Sequence, residues 1–159
     1  MAVQAVGGRV GESARNLAYM NYALLFSAVF FAGVPALIAA VIAYSQKDEA
    51  PPTISSHFAF QLRIFWIAFV IALTAGLCFL GAMINVAGEL FQVTRIEGWN
   101  VPDRVRVDLS DVTVDRTLIA LVAGTGLFSA IGGVWLVFAP ALGFIRLASG
   151  RGMGHSAHS

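Results

Sequence analysis

The chain has 159 residues, of which 58% are hydrophobic and only 12% charged, with a formal net charge of +1. This composition excludes a disordered chain, a collagen-like chain and a nucleic-acid-binding domain. It also argues against a soluble globule, because an ordinary soluble domain carries about 25% charged residues. The length indicates one domain, and the mean hydropathy of +0.78 predicts a small membrane protein with several spans.

Three charge-free stretches predict the elements in chain order: residues 17–44, 64–88 and 117–145. A helix needs about 20 apolar residues to cross the hydrocarbon core of a bilayer, and only helices or closed barrels satisfy their backbone in lipid. The expected fold is therefore an all-α integral membrane three-helix bundle, with spans at 17–44, 64–88 and 117–140. Residues 1–16 and 150–159 read as flexible tails, and the chain between them, 17–149, as the transmembrane domain.

The connections carry further predictions. Pro51 and Pro52 force a turn between the first two spans, and Ser55 or Ser56 would cap the second helix. Pro140 is expected to kink or end the third helix, so that an interfacial turn follows it.

The long loop 89–116 has two interpretations. Apolar and polar residues alternate over 105–109 and again over 112–115, which is typical of a short hairpin turning at 110–111. The alternative is an irregular loop whose Asp115 caps the third helix. The sequence favours neither.

One segment, residues 56–66, has the character of a motif: Ser-His-Phe-Ala-Phe-Gln-Leu-Arg-Ile-Phe-Trp. On a helix His57 and Gln61 are four residues apart and share a face, whereas Arg63 points elsewhere and can reach lipid phosphates. The simpler hypothesis is an interfacial anchor in which Arg63 and Trp66 hold the helix at the headgroup level. The functional hypothesis is a polar cluster that binds a partner helix, a lipid headgroup or a proton.

This segment and the residues before it resemble a widespread bacterial family of small inner-membrane proteins of unknown function. The matching residues are Ala43-Tyr44, Lys47-Asp48, Ser56-His57-Phe58, Phe60-Gln61, Arg63 and Phe65-Trp66. The family is distantly similar to the import-channel subunit of the chloroplast inner envelope. Trp135, Gly143 and Arg146 occupy positions like those of a Trp, a Gly and an Arg in the family's third span. The resemblance implies a multi-pass protein of the bacterial cytoplasmic (inner) membrane and no agreed activity.

Other candidate chemistry is sparse. Asn85 and Glu89 share a face and could bond across helices, although a helix-packing role for Asn85 is the simpler interpretation. Cys78 lies within a span, where a buried thiol is unreactive, and His155 and His158 alone make a poor metal site. The sequence contains no GxSxG, P-loop or HExxH motif and no paired carboxylates within a span, so we expect no enzyme, no metal and no cofactor.

Small residues recur at helical spacing, which lets membrane helices approach closely. In the third span Ser129 and Gly133 form such a pair, with Gly126 nearby. They are expected to contact a membrane-protein partner or a second copy.

We therefore expect a structural or accessory subunit of a larger membrane complex or homo-oligomer. The alternative is a channel- or translocon-like component. Six basic residues in the N-terminal tail and second loop, against four in the first loop and C-terminal part, favour a cytoplasmic N-terminus. This topology places the N-terminal tail on the opposite side from the first loop and the C-terminus.

Overall fold

The computed structural model describes residues 2–96, 105–107 and 115–153. In this part of the chain there are four helices and one pair of short strands: α1 (Ala2–Ser27), α2 (Val34–Gln46), α3 (Pro52–Val93), β1 (Thr94–Ile96), β2 (Val105–Val107) and α4 (Arg116–Ala148). The prediction of a helical fold is confirmed for these residues. The number of helices differs from the three expected, because the first apolar stretch forms two.

The expected first span, 17–44, is broken between α1 and α2. Ala32 and Gly33 adopt left-handed backbone conformations, with φ of 49° and 82°, and Gly33 takes this conformation without steric cost. Pro35 then lies in the first turn of α2, where its missing N–H is not needed. The prediction of one continuous helix here is wrong, and α2, at 13 residues or about 20 Å, is too short to cross a bilayer.

The two halves of the broken stretch pack against each other. α1 buries Ala14, Ala18, Tyr22 and Leu25, which recur at helical spacing along one face. α2 buries only alanines: Ala36, Ala39, Ala40 and Ala43. Helix α1 begins at Ala2, so residues 2–16, which the sequence predicted as a flexible tail, continue the helix.

Two helices, α3 and α4, are long and apolar enough to cross a membrane. α3 starts at Pro52, ahead of the predicted Ser55 or Ser56 cap, because proline suits the first helical position. The Ser55 hydroxyl instead donates to the carbonyl of Lys47 at 2.5 Å and holds the turn. α4 continues through Pro140 to Ala148, so the prediction of a separate interfacial turn after that proline is wrong.

The second loop contains a strand where one was predicted, with a different partner. Val105–Val107 pairs antiparallel with Thr94–Ile96, and Arg106 lies opposite Arg95. The predicted turn at 110–111 and its second strand, 112–114, lie outside the described residues. Asp115 also caps α4, as the alternative interpretation required, since it accepts hydrogen bonds from Thr117 and from the backbone of Arg116.

The chain forms two compact units, Met1–Val70 with Ile131–Ser159, and Ile71–Ala130. The first unit holds the hydrophobic core, built from α1, α2, the beginning of α3 and the end of α4. In the second unit α3 and α4 approach through glycines: a methyl group added at Gly81 would lie 3.3 Å from the Leu121 side chain, and one at Gly124 would lie 3.2 Å from the Cys78 sulfur.

Three parts of the first unit that were expected on opposite sides of a membrane lie at one end. A methyl group added at Gly11, near the base of α1, would lie 4.0 Å from Pro51 in the first loop. One added at Gly152, in the C-terminal segment, would lie 3.3 Å from Ser56. The predicted separation of the N-terminal region from the first loop and the C-terminal segment is therefore wrong. Its cause is the break at Gly33, which reverses the chain.

The Asp115 cap predicts a pH dependence of the start of α4. Hydrogen bonds from the Thr117 hydroxyl and from the Arg116 backbone hold the pKa of this carboxyl below its ordinary value of 3.8. The cap therefore contributes fully above that value, and its contribution is lost as the pH falls through the lower pKa of the folded state. We expect Asp115→Ala to speed amide exchange in the first turn of α4 at neutral pH, and Asp115→Asn to preserve protection and remove its acid sensitivity. Equal exchange in the wild type and in Asp115→Ala would show that the cap is unimportant.

Candidate functional site

Four buried polar side chains meet in the first unit: Asn21 and Tyr22 from α1, and His57 and Gln61 from α3. We call this group the polar clasp. The Asn21 Nδ2 donates to the Gln61 Oε1 at 2.7 Å and to the carbonyl of Ala39 in α2 at 2.9 Å. The Gln61 Nε2 donates to the carbonyl of Ala18 at 3.0 Å. The clasp thus binds α1, α2 and α3 together at one point.

His57 extends the clasp to the C-terminal segment. Its Nε2 lies 2.9 Å from the carbonyl oxygen of Arg151, and its Nδ1 lies 3.0 Å from the Tyr22 hydroxyl. A carbonyl can only accept, so Nε2 carries the proton. In the neutral ring Nδ1 then accepts from the Tyr22 hydroxyl. Both ring nitrogens are satisfied, and neither is free to transfer a proton to a substrate.

A second contact holds the same segment. The backbone N–H of Met153 donates to the Ser56 hydroxyl oxygen at 3.0 Å. Ser56 and His57 therefore fix residues 151–153 against the first turns of α3. The sequence pattern at 56–57 gave no indication of this partner, because the segment 151–153 is far away in the chain and carries no complementary side chain.

One atom of the clasp lacks a partner. Among the buried polar side-chain atoms of the described residues, only the Asn21 Oδ1 makes no hydrogen bond. Such a buried acceptor costs about 1–3 kcal/mol. The cost is acceptable here because the amide nitrogen of the same side chain makes two bonds that join separate helices.

Tyr22 packs directly against a glycine of α4. A methyl group added at Gly143 in α4 would overlap the Tyr22 ring and hydroxyl. Because position 143 has no side chain, α4 can approach α1 closely enough to bury the tyrosine. Tyr19 packs on the same helix, with its ring centroid 5.0 Å from that of Phe144.

The residues of the predicted anchor separate into two groups. His57 and Gln61 are buried in the clasp, whereas Arg63 and Trp66 are exposed. The Trp66 Nε1 donates to the Tyr44 hydroxyl at 2.9 Å, and Trp66 also makes edge contacts with Phe65 and Phe69. Arg63 lines an open groove of about 220 Å³ with Ser56, Phe60 and Met153. The structure thus divides the predicted segment between a buried pair, His57 and Gln61, and an exposed pair, Arg63 and Trp66, whose role as an interfacial anchor stays a prediction.

The remaining predicted residues lie elsewhere on α3 and α4. Asn85 is half-buried on α3, Ser129 is exposed on α4 and Gly133 is half-buried on α4. Of the three residues matched to the family's third span, Gly143 packs against Tyr22, Arg146 is exposed, and Trp135 donates to the carbonyl of Ile64 at 3.2 Å. His155 and His158 lie outside the described residues.

Sequence reasoning missed Asn21 and Tyr22, although they are half of the clasp. Both lie in the apolar stretch 17–44, where Tyr22 looks like an interfacial aromatic and Asn21 like a single polar interruption. The available signal was the pairing of an in-span Asn with a Gln in a later helix, since each needs a partner in an apolar environment.

The chemistry of the clasp is that of hydrogen bonds that hold helices together. Among the residues that the structure describes, no group of three or more His, Cys, Asp or Glu side chains could hold a metal ion. The groups of the clasp are uncharged amides, a phenol and an imidazole with both nitrogens engaged.

Comparison with known proteins gave no match: no family model, no curated protein and no solved structure is similar to this chain.

The clasp predicts how the C-terminal segment responds to loss of His57. We expect His57→Leu to raise the rate of trypsin cleavage after Arg151 by about 5- to 10-fold, because a hydrogen bond of about 1 kcal/mol no longer holds that segment. Ser45→Ala is the control, since the Ser45 hydroxyl bonds only within α2. Equal cleavage rates in the two variants would show that the segment is held by other contacts.

Proposed function

We propose that this chain is a non-catalytic integral membrane protein of a bacterial cytoplasmic membrane. Its role is that of a structural or accessory subunit of a larger membrane complex or of a homo-oligomer. The observation that carries this proposal is the exposure of α3 and α4: the most apolar windows of these helices are only 17% buried within the chain. A core helix of a soluble protein would be mostly covered by its own chain. These helices need lipid or another protein around them.

The use of the polar groups supports a structural role. The four side chains of the clasp bond to one another and to backbone carbonyls of the same chain. They leave no nucleophile or activated base facing an open site. The resemblance of residues 43–66 to a family of bacterial inner-membrane proteins supports the location and leaves the role open.

The small residues of α4 support association with a partner. In the second unit the Cys78 side chain occupies the space beside Gly124, so this glycine serves packing within the chain. A methyl group added at Gly126 or at Gly133 would have no atom within 4 Å, and Ser129 between them is exposed. Backbones can approach closely at such positions, so this face of α4 is the proposed contact with a partner.

Replacing this face should separate the partners. We expect Ser129→Leu with Gly133→Leu to abolish co-purification or crosslinking of a partner while the variant still inserts, because leucine raises the hydropathy of the span. Ile131→Leu with Val134→Leu is the matched control, since both side chains are exposed on α4 but lie away from the face of Ser129 and Gly133. If the first variant retains its partners at the level of the control, the contact lies on another face.

A further inference from the structure

The α1–α2 hairpin, residues 11–46, changes character from base to tip. Charged residues lie at its base: Glu12 and Arg15 on α1, and Lys47 just after α2. The tip carries no charge and exposes large apolar side chains, among them Phe26, Phe30, Phe31, Val34 and Leu37. Phe30 and Phe31 are 72% and 64% exposed, which places both rings on the outside of the chain.

The depth of this tip follows from one contact and the lengths of two helix segments within the first unit. Near the base, the Ser55 side chain bonds to the carbonyl of Lys47. Ile64, where the charge-free part of α3 begins, is nine residues further along α3, or about 14 Å. From Lys47 at the base to Val34 near the tip, α2 spans 13 residues, or about 20 Å along its axis. Even if α2 ran parallel to the axis of α3, Val34 would lie at most about 6 Å beyond the level of Ile64, well short of one leaflet's hydrocarbon depth of about 15 Å.

The backbone of the tip is suited to a shallow apolar position. The turn between the helices satisfies several of its own donors: the N–H groups of Ala28, Phe30, Gly33 and Val34 bond to carbonyls of residues 24–31 at 2.9–3.1 Å. The Ser27 hydroxyl bonds to the carbonyl of Leu24 at 2.9 Å. Irregular backbone exposed at the centre of a bilayer would leave its unpaired groups without water. A tip just beneath the headgroups avoids much of that cost.

The base of the hairpin meets the aromatic side chains typical of a membrane interface. The Lys47 ammonium lies 5.7 Å from the centre of the Tyr44 ring, and the Tyr44 hydroxyl accepts from Trp66. Lys, Tyr and Trp side chains that contact one another in succession are typical of the boundary between headgroups and acyl chains. The gradient from charged base through aromatic belt to apolar tip matches the polarity gradient of one leaflet.

We propose that the α1–α2 hairpin is a wedge that enters one leaflet without crossing the membrane, and that its exposed tip binds the upper acyl chains of that leaflet. The protein then crosses the membrane twice, through α3 and α4. The base of α1, the first loop and the C-terminal segment face the same side, and the start of α4 faces the other. This inference rests on the proposed membrane location.

Cysteine labelling tests the sidedness. In a Cys78→Ala background, single variants Glu12→Cys, Asp48→Cys, Arg151→Cys and Asp115→Cys are treated with a membrane-impermeant maleimide in intact spheroplasts and in inverted vesicles. We expect the first three to be labelled from one side and Asp115→Cys from the other. Labelling of Glu12→Cys from the same side as Asp115→Cys would overturn the wedge and restore three spans.

Depth is measured on the same background with a nitroxide at Phe31→Cys, by collision with oxygen and with a water-soluble nickel complex. Phe69→Cys and Leu77→Cys are the controls, because both side chains are exposed on α3, 5 and 13 residues beyond Ile64. We expect the depth at position 31 to match that at position 69. A depth equal to that at position 77 would overturn the wedge. Release of the wild-type protein from vesicles by alkaline carbonate would instead contradict the membrane location itself.

Discussion

Gly143→Ala is expected to destabilise the protein by about 1–3 kcal/mol, because overpacking of a close contact has costs of this size. The added methyl group would overlap the Tyr22 ring, and the tyrosine cannot move without breaking its bond to His57. In the absence of such a contact, replacing glycine by alanine inside a helix stabilises it by about 1 kcal/mol. A loss of stability in Gly143→Ala would therefore oppose the higher helix propensity of alanine. Thermal unfolding in mild detergent measures the effect.

Gly76→Ala is the matched control for this prediction. Gly76 lies inside α3, away from the proposed contact face of α4, and nothing lies within 4 Å of a methyl group added at position 76. We expect this variant to be as stable as the wild type or slightly more so. Tyr22→Leu combined with Gly143→Ala should recover part of the loss, since leucine lacks the ring that collides. If Gly143→Ala unfolds at the same temperature as Gly76→Ala, α4 does not approach α1 as described.

Asn21→Leu and Gln61→Leu are expected to cost about 1–3 kcal/mol each, since each leaves buried hydrogen-bonding groups without partners. The double variant should cost less than the two single variants together, because the partner left unsatisfied by either change is then also removed. The coupling energy is expected to be about 0.5–3 kcal/mol, measured by unfolding of the four proteins under one condition.

Ser45→Ala and Thr125→Ala are controls for this cycle. Each removes a polar side chain that bonds only to a carbonyl of its own helix, so neither should couple to Gln61→Leu. Strict additivity of Asn21→Leu and Gln61→Leu would show that the two amides do not bond in the folded protein.

The helical fold and the two long apolar helices could be predicted because each of these helices contains a continuous charge-free stretch long enough to cross a membrane. The break in the first stretch could not be placed in the same way. Gly33 and Pro35 are both tolerated within membrane helices, and only the packing of α2 alanines against α1 decides that the chain reverses there. Without that reversal, the N-terminal region was assigned to the wrong end.

The candidate site was half predicted for a related reason. His57 and Gln61 stand out because they are polar, adjacent on a helix and part of a recognisable segment. Their partners are the backbone carbonyls of Ala18 and Arg151, together with two side chains in an apolar stretch. Backbone carbonyls leave no mark in a sequence. Helix periodicity placed the two side chains on one face, whereas tertiary packing determined that this face turns inward.

The proposed role as a subunit is tested most directly by the native mass of the protein extracted from its own membrane in a mild detergent. The chain alone has a mass of 16.9 kDa. We expect an assembly heavier than this by at least one further copy or one other membrane protein, and dissociation of that assembly in the Ser129→Leu, Gly133→Leu variant. A bare chain of 16.9 kDa at every detergent concentration that preserves the fold would contradict the account.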